Sequence, residues 1–231
     1  FSGKPPFKEG FRAVENEFKI TLGLFKTDEN KSFGGRTWEL LSRFTWQLPQ
    51  TAAGYIFSRA GNTIGKVDKV TYGYGMTAID MGLKKGAVTF GNYTAGPKGY
   101  TADWRDHLFV HEYGHYIQSQ QWGPIHMFTI GLASMQSAIM DKNSEGTPEH
   151  SDRWFEADAS YKGMKYFDKH YGSDKEGYIV GSPDYFDRIS FVDEGTRSLY
   201  RNPRDGGLNY WGNPIVGKFH WTDLFIHTPA S

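Results

Sequence analysis

The sequence predicts an α+β fold, mainly helical, with one small antiparallel sheet placed ahead of the helix that carries its chemistry. Three observations predict it. Apolar residues recur at helical spacing in 38–48 and again through 104–121. Between 62 and 92 the pattern changes to Val, Thr and Tyr broken by repeated Gly, the composition of short strands and tight turns. Beyond 172 neither period is sustained, and Gly, Pro, Asn and aromatic residues dominate.

Length and composition bound the rest. A chain of 231 residues buries one sizeable core, so 1–231 reads as a single domain. Lys+Arg and Asp+Glu are equal at 26 each, which leaves no global basic field to recruit nucleic acid. With 0 Cys there are no disulfides and no thiolate metal sites, so any zinc must be held by His and carboxylate. No run reaches the roughly 18–20 apolar residues of a membrane span. The chain opens at Phe1 without a Met and reads as a mature form or an excised domain. Oligomeric state has no signature here.

In chain order, 1–10 (FSGKPPFKEG) reads as an irregular lead-in, and 11–60 as helical. Residues 11–25 suit a helix better than a strand, and the turn-forming TDENKSFGG closes them off. Trp38, Leu41, Phe44 and Thr45 fall on one helical face, with Pro49 as the stop. A short helix over 51–57 follows. The sheet of 62–92 takes two or three antiparallel strands turning at GYG and LKKG. Those glycines do not make a nucleotide loop, because no strand-to-helix transition follows them. Residues 94–104 form a loop in which Thr101 or Asp103 caps the next helix.

That helix, 104–121, carries HEYGH: His111, Glu112 and His115. Positions i and i+4 share a helical face, so both imidazoles reach one ion, and Glu112 beside the first is placed as a general base. The plain alternative is two surface histidines on an ordinary helix. His107, one turn earlier on the same stripe, reads as a supporting or surface residue rather than a ligand. Gly114 costs about 1 kcal/mol against Ala in mid-helix, so its missing Cβ points to a close approach by another segment or the substrate. Phe109, Val110, Tyr113 and Ile117 supply the apolar backing.

A catalytic zinc site needs a third protein ligand and one open position. The region 104–171 supplies candidates on further helices. GPIHMFTIGLASMQSAI reads as a second, largely buried helix. Residues 141–152 form a loop in which Asp141, Asn143, Glu145 and Gly146 imitate the start of a calcium site, but Pro148 sits badly for its second half, so a solvated loop is the better reading. Ser151 then caps a third helix, with Glu156 in its first turns, 41 residues after His115. Glu156 is the candidate third ligand. Its rivals are Asp158, Glu149 and His150. Ala159, Ser160 and Gly163 give this helix a small-residue face suited to close packing on the motif helix, beside an apolar stripe of Trp154, Ala157, Tyr161 and Met164.

HEYGH followed by WFEADAS on a later helix resembles the gluzincin arrangement of HExxH plus a downstream glutamate. The wider run from HEYGHYIQSQQWGPIHMFTIGLASMQSA to HSDRWFEADAS, with RFTWQLPQTAAG and FGNY upstream, is similar to the zinc-peptidase-type domains at the C-terminal ends of Rhs/YD-repeat proteins of the polymorphic-toxin kind, over roughly 25–171. The resemblance implies a zincin-like fold, one Zn2+ held by His111, His115 and Glu156, a protein or peptide substrate, and an exported toxin or effector parent. In thermolysin-like gluzincins an aspartate four residues after the glutamate orients a ligand histidine, and the Rhs-type domains are expected to carry Asn there. Here the position is Ser160, which brings no charge, and Asp158 lies across the helix.

The ligand set implies peptide hydrolysis in which Glu112 takes a proton from water and passes it to the leaving amine. An oxyanion donor is also needed, and Tyr161, His150 and His170 are nearest in sequence. The tail 172–231 reads as an irregular wrap over the core, holding His220 and His227. The alternative to an enzyme is a non-catalytic binding module that keeps a zincin-like fold. Glu112 argues against it, since a structural site has no use for a base beside its ligand.

Overall fold

The structure, a computed structural model, describes residues 6–84, 86–131 and 154–171. The second half of the second helix, the calcium-like loop with Glu149 and His150, the Ser151 cap and the aromatic-rich tail lie outside the described residues. The protein is α+β. Its residues divide into two compact units, Phe1–Glu112 with Ser119–Pro124, and Tyr113–Gln118 with Ile125–Ser231.

The first unit opens with helix α1, Pro6–Gly23. The lead-in expectation for 6–10 is therefore corrected. Proline is tolerated in a first helical turn, where its missing N–H has no partner to lose, so Pro6 starts the helix instead of delaying it. Helix α2 is Phe33–Arg43, capped by Ser32, whose side chain accepts from Gly35 N. Helix α3 is Leu48–Thr63, with Pro49 in its first turn. Pro49 is thus a starter and not a stop, and the helix expected over 51–57 is longer at both ends.

The four strands are β1 Lys69–Gly73, β2 Met76–Asp80, β3 Val88–Phe90 and β4 Tyr93–Gly96. Two hairpins build the sheet. Tyr74 and Gly75, with φ of 57° and 79°, make the β1–β2 turn, both residues in the left-handed region that a type I′ turn demands. Gly91, φ 57°, opens the β3–β4 turn. The sheet order is β1-β2-β4-β3, and β2 pairs with β4 in parallel, Ile79 opposite Ala95. The sheet is therefore mixed, which corrects the antiparallel expectation. The second hairpin inserts β4 beside β2 and leaves β3 at the edge, an order that no local turn signal encodes.

Ile20 of α1 packs with Val67, Val70, Ile79, Met81, Tyr93 and Ala95 in the core of this unit, and Tyr55 of α3 joins its margin. Each fully buried aliphatic side chain contributes about 1.5–3 kcal/mol. Close approach needs glycine at Gly54, where a Cβ would stand 2.4 Å from the Phe90 carbonyl oxygen. Helix α2 is inverted relative to the apolar stripe. Trp38, Leu41 and Phe44 are exposed, while Glu39, Ser42 and Arg43 face inward. Arg43 Nη2 donates to Glu39 Oε1 at 3.1 Å and to the Gly75 carbonyl at 2.7 Å, its Nη1 donates to the Leu24 carbonyl at 2.9 Å, and Glu39 Oε2 accepts from Asp28 N at 3.0 Å. This buried pair ties α2 to the β1–β2 turn and to the loop after α1.

Helix α4, His107–Trp122, runs through both units. Asp106 caps it by accepting from Leu108 N at 2.9 Å, which corrects the expectation of Thr101 or Asp103. Asp103 instead closes the preceding turn, accepting from Arg105 N at 3.0 Å. Gly123, φ 55°, ends the helix. Trp46 Nε1 donates to the Gln120 carbonyl at 3.1 Å, Ser119 Oγ donates to Gln47 Oε1 at 3.3 Å, and Gln50 donates to the Gly123 carbonyl. The RFTWQLPQ stretch thus clamps the C-terminal end of the motif helix.

In the second unit, the 113–118 stretch of α4 packs with helix α5, Trp154–Tyr171. Tyr113 meets Tyr166 at 4.6 Å and Phe167 at 4.9 Å between ring centroids. Such tilted ring pairs add about 0.5–1.5 kcal/mol beyond area burial. A π-helical turn, Met127–Gly131, opens the second helix as far as it is described.

Candidate metal centre

The helical spacing puts His111 and His115 one turn apart on α4, and α5 contributes Glu156 from its first turn. One ligand atom from each of the three lies within 4.8 Å of the others. His115 Nε2 is 3.0 Å from Glu156 Oε2, and both residues are buried, Glu156 almost wholly. A zinc ion at 2.0–2.2 Å from each atom of a tetrahedral set needs those atoms about 3.3–3.6 Å apart, within the 4.8 Å that bounds this group. Two imidazole nitrogens and one carboxylate oxygen are also the donor types that zinc takes in the absence of cysteine, and three leave a fourth position open. The residues fit the ion.

Glu112 is buried, and Thr89 on the edge strand β3 donates to its Oε2 at 2.7 Å. Oε1 is left to accept a proton. Tyr100, buried nearby, has its phenol raised well above the ordinary range, by burial first and then by the Glu112 carboxylate. Its hydroxyl pairs with Thr94 Oγ1 at 3.0 Å.

His115 Nδ1 lies 2.9 Å from Gln118 Oε1, while Gln118 Nε2 donates to the Phe155 carbonyl at 2.7 Å and to Asp158 Oδ2 at 2.9 Å. Lys162 also donates to Asp158 Oδ2. The group that holds His115 is therefore Gln118, from the same helix. Ser160 is buried on α5, and Asp158 Oδ2 stands behind His115 through the Gln118 amide. Among the described residues, Asp158 is not in the group of three that could hold a metal.

Tyr161 carries the Lys165 ammonium 5.7 Å above its ring, and His170 packs at 4.5 Å on Tyr166. His150 lies outside the described residues. His107, half-exposed at the start of α4, is 3.4 Å from Asp106 Oδ1; burial of its ring lowers its pKa against the opposing pull of Asp106.

Three residues of this neighbourhood carried no decisive signal in the sequence: Gln118, Thr89 and His126. A glutamine three positions after a ligand histidine is a legible hint, because i and i+3 are neighbours on a helix. Thr89 had none, since its partner lies across the fold. His126 is buried with no hydrogen-bond partner for Nε2 among the described residues, and burial, with the charges of His115 and Lys162 adding, lowers its pKa to about 3. No family model, curated protein or solved structure matches the chain. No helix among the described residues is long and apolar enough to cross a membrane.

Proposed function

We propose that this chain is a zinc-dependent metallopeptidase of the gluzincin type, hydrolysing peptide bonds in a protein or peptide substrate. The observation that carries the proposal is the convergence of His111, His115 and Glu156 within 4.8 Å, beside a buried carboxylate that is not one of the three ligands. Zinc bound there supplies a Lewis acid and brings a water toward neutral pKa. Glu112 Oε1 accepts the proton of the attacking water and returns it to the leaving amine nitrogen. Thr89 fixes the carboxylate by holding Oε2. The edge strand β3, which carries Thr89, suits an extended peptide laid alongside it as an added strand. A toxin or effector parent rests on the sequence resemblance alone.

The test is cleavage of an unfolded protein by the zinc-loaded chain. The parent cleaves, chelation abolishes cleavage, and zinc restores it. Glu112→Gln keeps its zinc and loses about 10²–10⁴-fold in rate, the share a positioned acid–base group supplies. A zinc-loaded parent with no cleavage, or a Glu112→Gln variant as fast as the parent, leaves a non-catalytic binding module instead.

A further inference from the structure

We propose that Gln118 sets the tautomer of His115 and so decides which ring nitrogen is offered to the metal, with Asp158 and Lys162 acting behind it. The inference rests on the reading of His111, His115 and Glu156 as a metal centre. The Phe155 backbone carbonyl can only accept a hydrogen bond, so the Gln118 atom facing it at 2.7 Å must be the amide nitrogen. The Asp158 carboxylate takes the second amide hydrogen at 2.9 Å. The carboxamide is then fixed, and its oxygen is the atom turned to His115 Nδ1 at 2.9 Å. A carbonyl oxygen cannot donate, so Nδ1 must carry the proton. With Nδ1 committed to its proton, Nε2 is the nitrogen a cation can take; it faces the Glu156 carboxylate, also an acceptor, so a cation bound there replaces the proton of that contact.

The chain reproduces by a relay what a carboxylate on a ligand histidine does directly. Gln118 is fully buried and Asp158 nearly so. The Asp158 charge polarises the carboxamide, which strengthens its acceptance from Nδ1–H, and the Lys162 ammonium balances that buried charge. The orienting group lies on the motif helix itself, and the charge behind it is supplied from position 158. Gln118 is a positioning residue, acting through His115.

Zinc affinity, measured by competition with a chromophoric chelator, tests it together with long-range 1H–15N correlation of the imidazoles in the zinc-loaded parent. Gln118→Met, close in shape but without donor or acceptor, is expected to bind zinc 10–100-fold more weakly at unchanged helix content. Asp158→Asn is expected to lose less than Gln118→Met, since the hydrogen bond can persist without the charge. The NMR signature is expected to show His115 protonated at Nδ1 and metallated at Nε2, a readout that a merely structural glutamine would not set and that needs no variant to fold. Metallation at Nδ1, or a folded Gln118→Met that holds zinc as tightly as the parent, overturns the proposal. If the parent itself takes up no zinc, the metal-centre reading fails and this inference with it. If the parent binds zinc and Glu156→Ala does not while Gln118→Met is unchanged, the reading stands and the relay alone falls.

Discussion

A Cβ on Gly114 would stand 1.7 Å from the carbonyl oxygen of Ala159. Helices α4 and α5 therefore meet backbone to backbone at this point, between the residue preceding His115 and the turn that follows Glu156. In an unconstrained helix Gly→Ala stabilises by about 1 kcal/mol. Here Gly114→Ala is expected to destabilise by about 3 kcal/mol or more, because two main chains must separate, and the cost of such overpacking is typically 1–3 kcal/mol even where only side chains yield. Urea unfolding followed by far-UV circular dichroism checks the sign, and zinc uptake should fall in the same variant as Glu156 moves away from His115.

Much of that contact was legible. Gly114 in mid-helix and the small face of Ala159, Ser160 and Gly163 announced a close helix pair, and HEYGH with a later glutamate announced the three side chains that come together. What failed to show was set by distant parts of the chain. The parallel pairing of β2 with β4 depends on where a hairpin inserts, and each strand's own sequence is indifferent to it. The α2 stripe misled because Arg43, bonded through Nη1 and Nη2, outcompetes Trp38 and Leu41 for the inside position, its partners lying after α1 and at Gly75. Pro49 was read as a stop because proline forbids a helix interior equally well from either side of a boundary. The contact of Gln118 with His115 lies within the motif helix, three positions on, a spacing that the sequence displays without singling it out.

Removing Arg43 leaves Glu39 Oε1 buried without its guanidinium partner, while Oε2 keeps the Asp28 N–H. Arg43→Met is expected to cost about 3–5 kcal/mol, and the double variant Arg43→Met with Glu39→Leu is expected to recover much of the loss. Denaturant midpoints of the two variants and the parent decide this. Equal stability of single and double variants would show that Glu39 does not depend on Arg43.

Acid sensitivity should trace in part to His126. Its pKa is lowered from 6.5 to about 3, by burial first and then by His115 and Lys162. Between those two values the unfolded chain binds a proton that the folded chain refuses, so stability is full above the upper value and falls as pH drops through the window. One such group contributes a slope of up to about 1.4 kcal/mol per pH unit. His126→Leu is expected to flatten the fall in denaturant midpoint between about pH 6 and pH 4 by up to that amount. An unchanged pH profile in the folded variant would place the acid sensitivity elsewhere.

Thr89 is expected to act on turnover and not on metal binding. Thr89→Val keeps the shape of a β-branched edge residue and removes the donor to Glu112 Oε2. Loss of that orientation should lower kcat roughly tenfold with zinc affinity unchanged, and Thr89→Ser should restore most of it. Steady-state kinetics on one peptide substrate separates kcat from KM. A drop confined to KM would assign Thr89 to substrate binding on the edge strand.

Metal content tests the central claim most directly. The chain purified without chelators and dialysed against dilute zinc should hold about one zinc per molecule by elemental analysis, and His115→Ala and Glu156→Ala, each still folded, should hold almost none. A parent chain that retains no zinc, or a folded Glu156→Ala variant that retains as much as the parent, would contradict the metal centre.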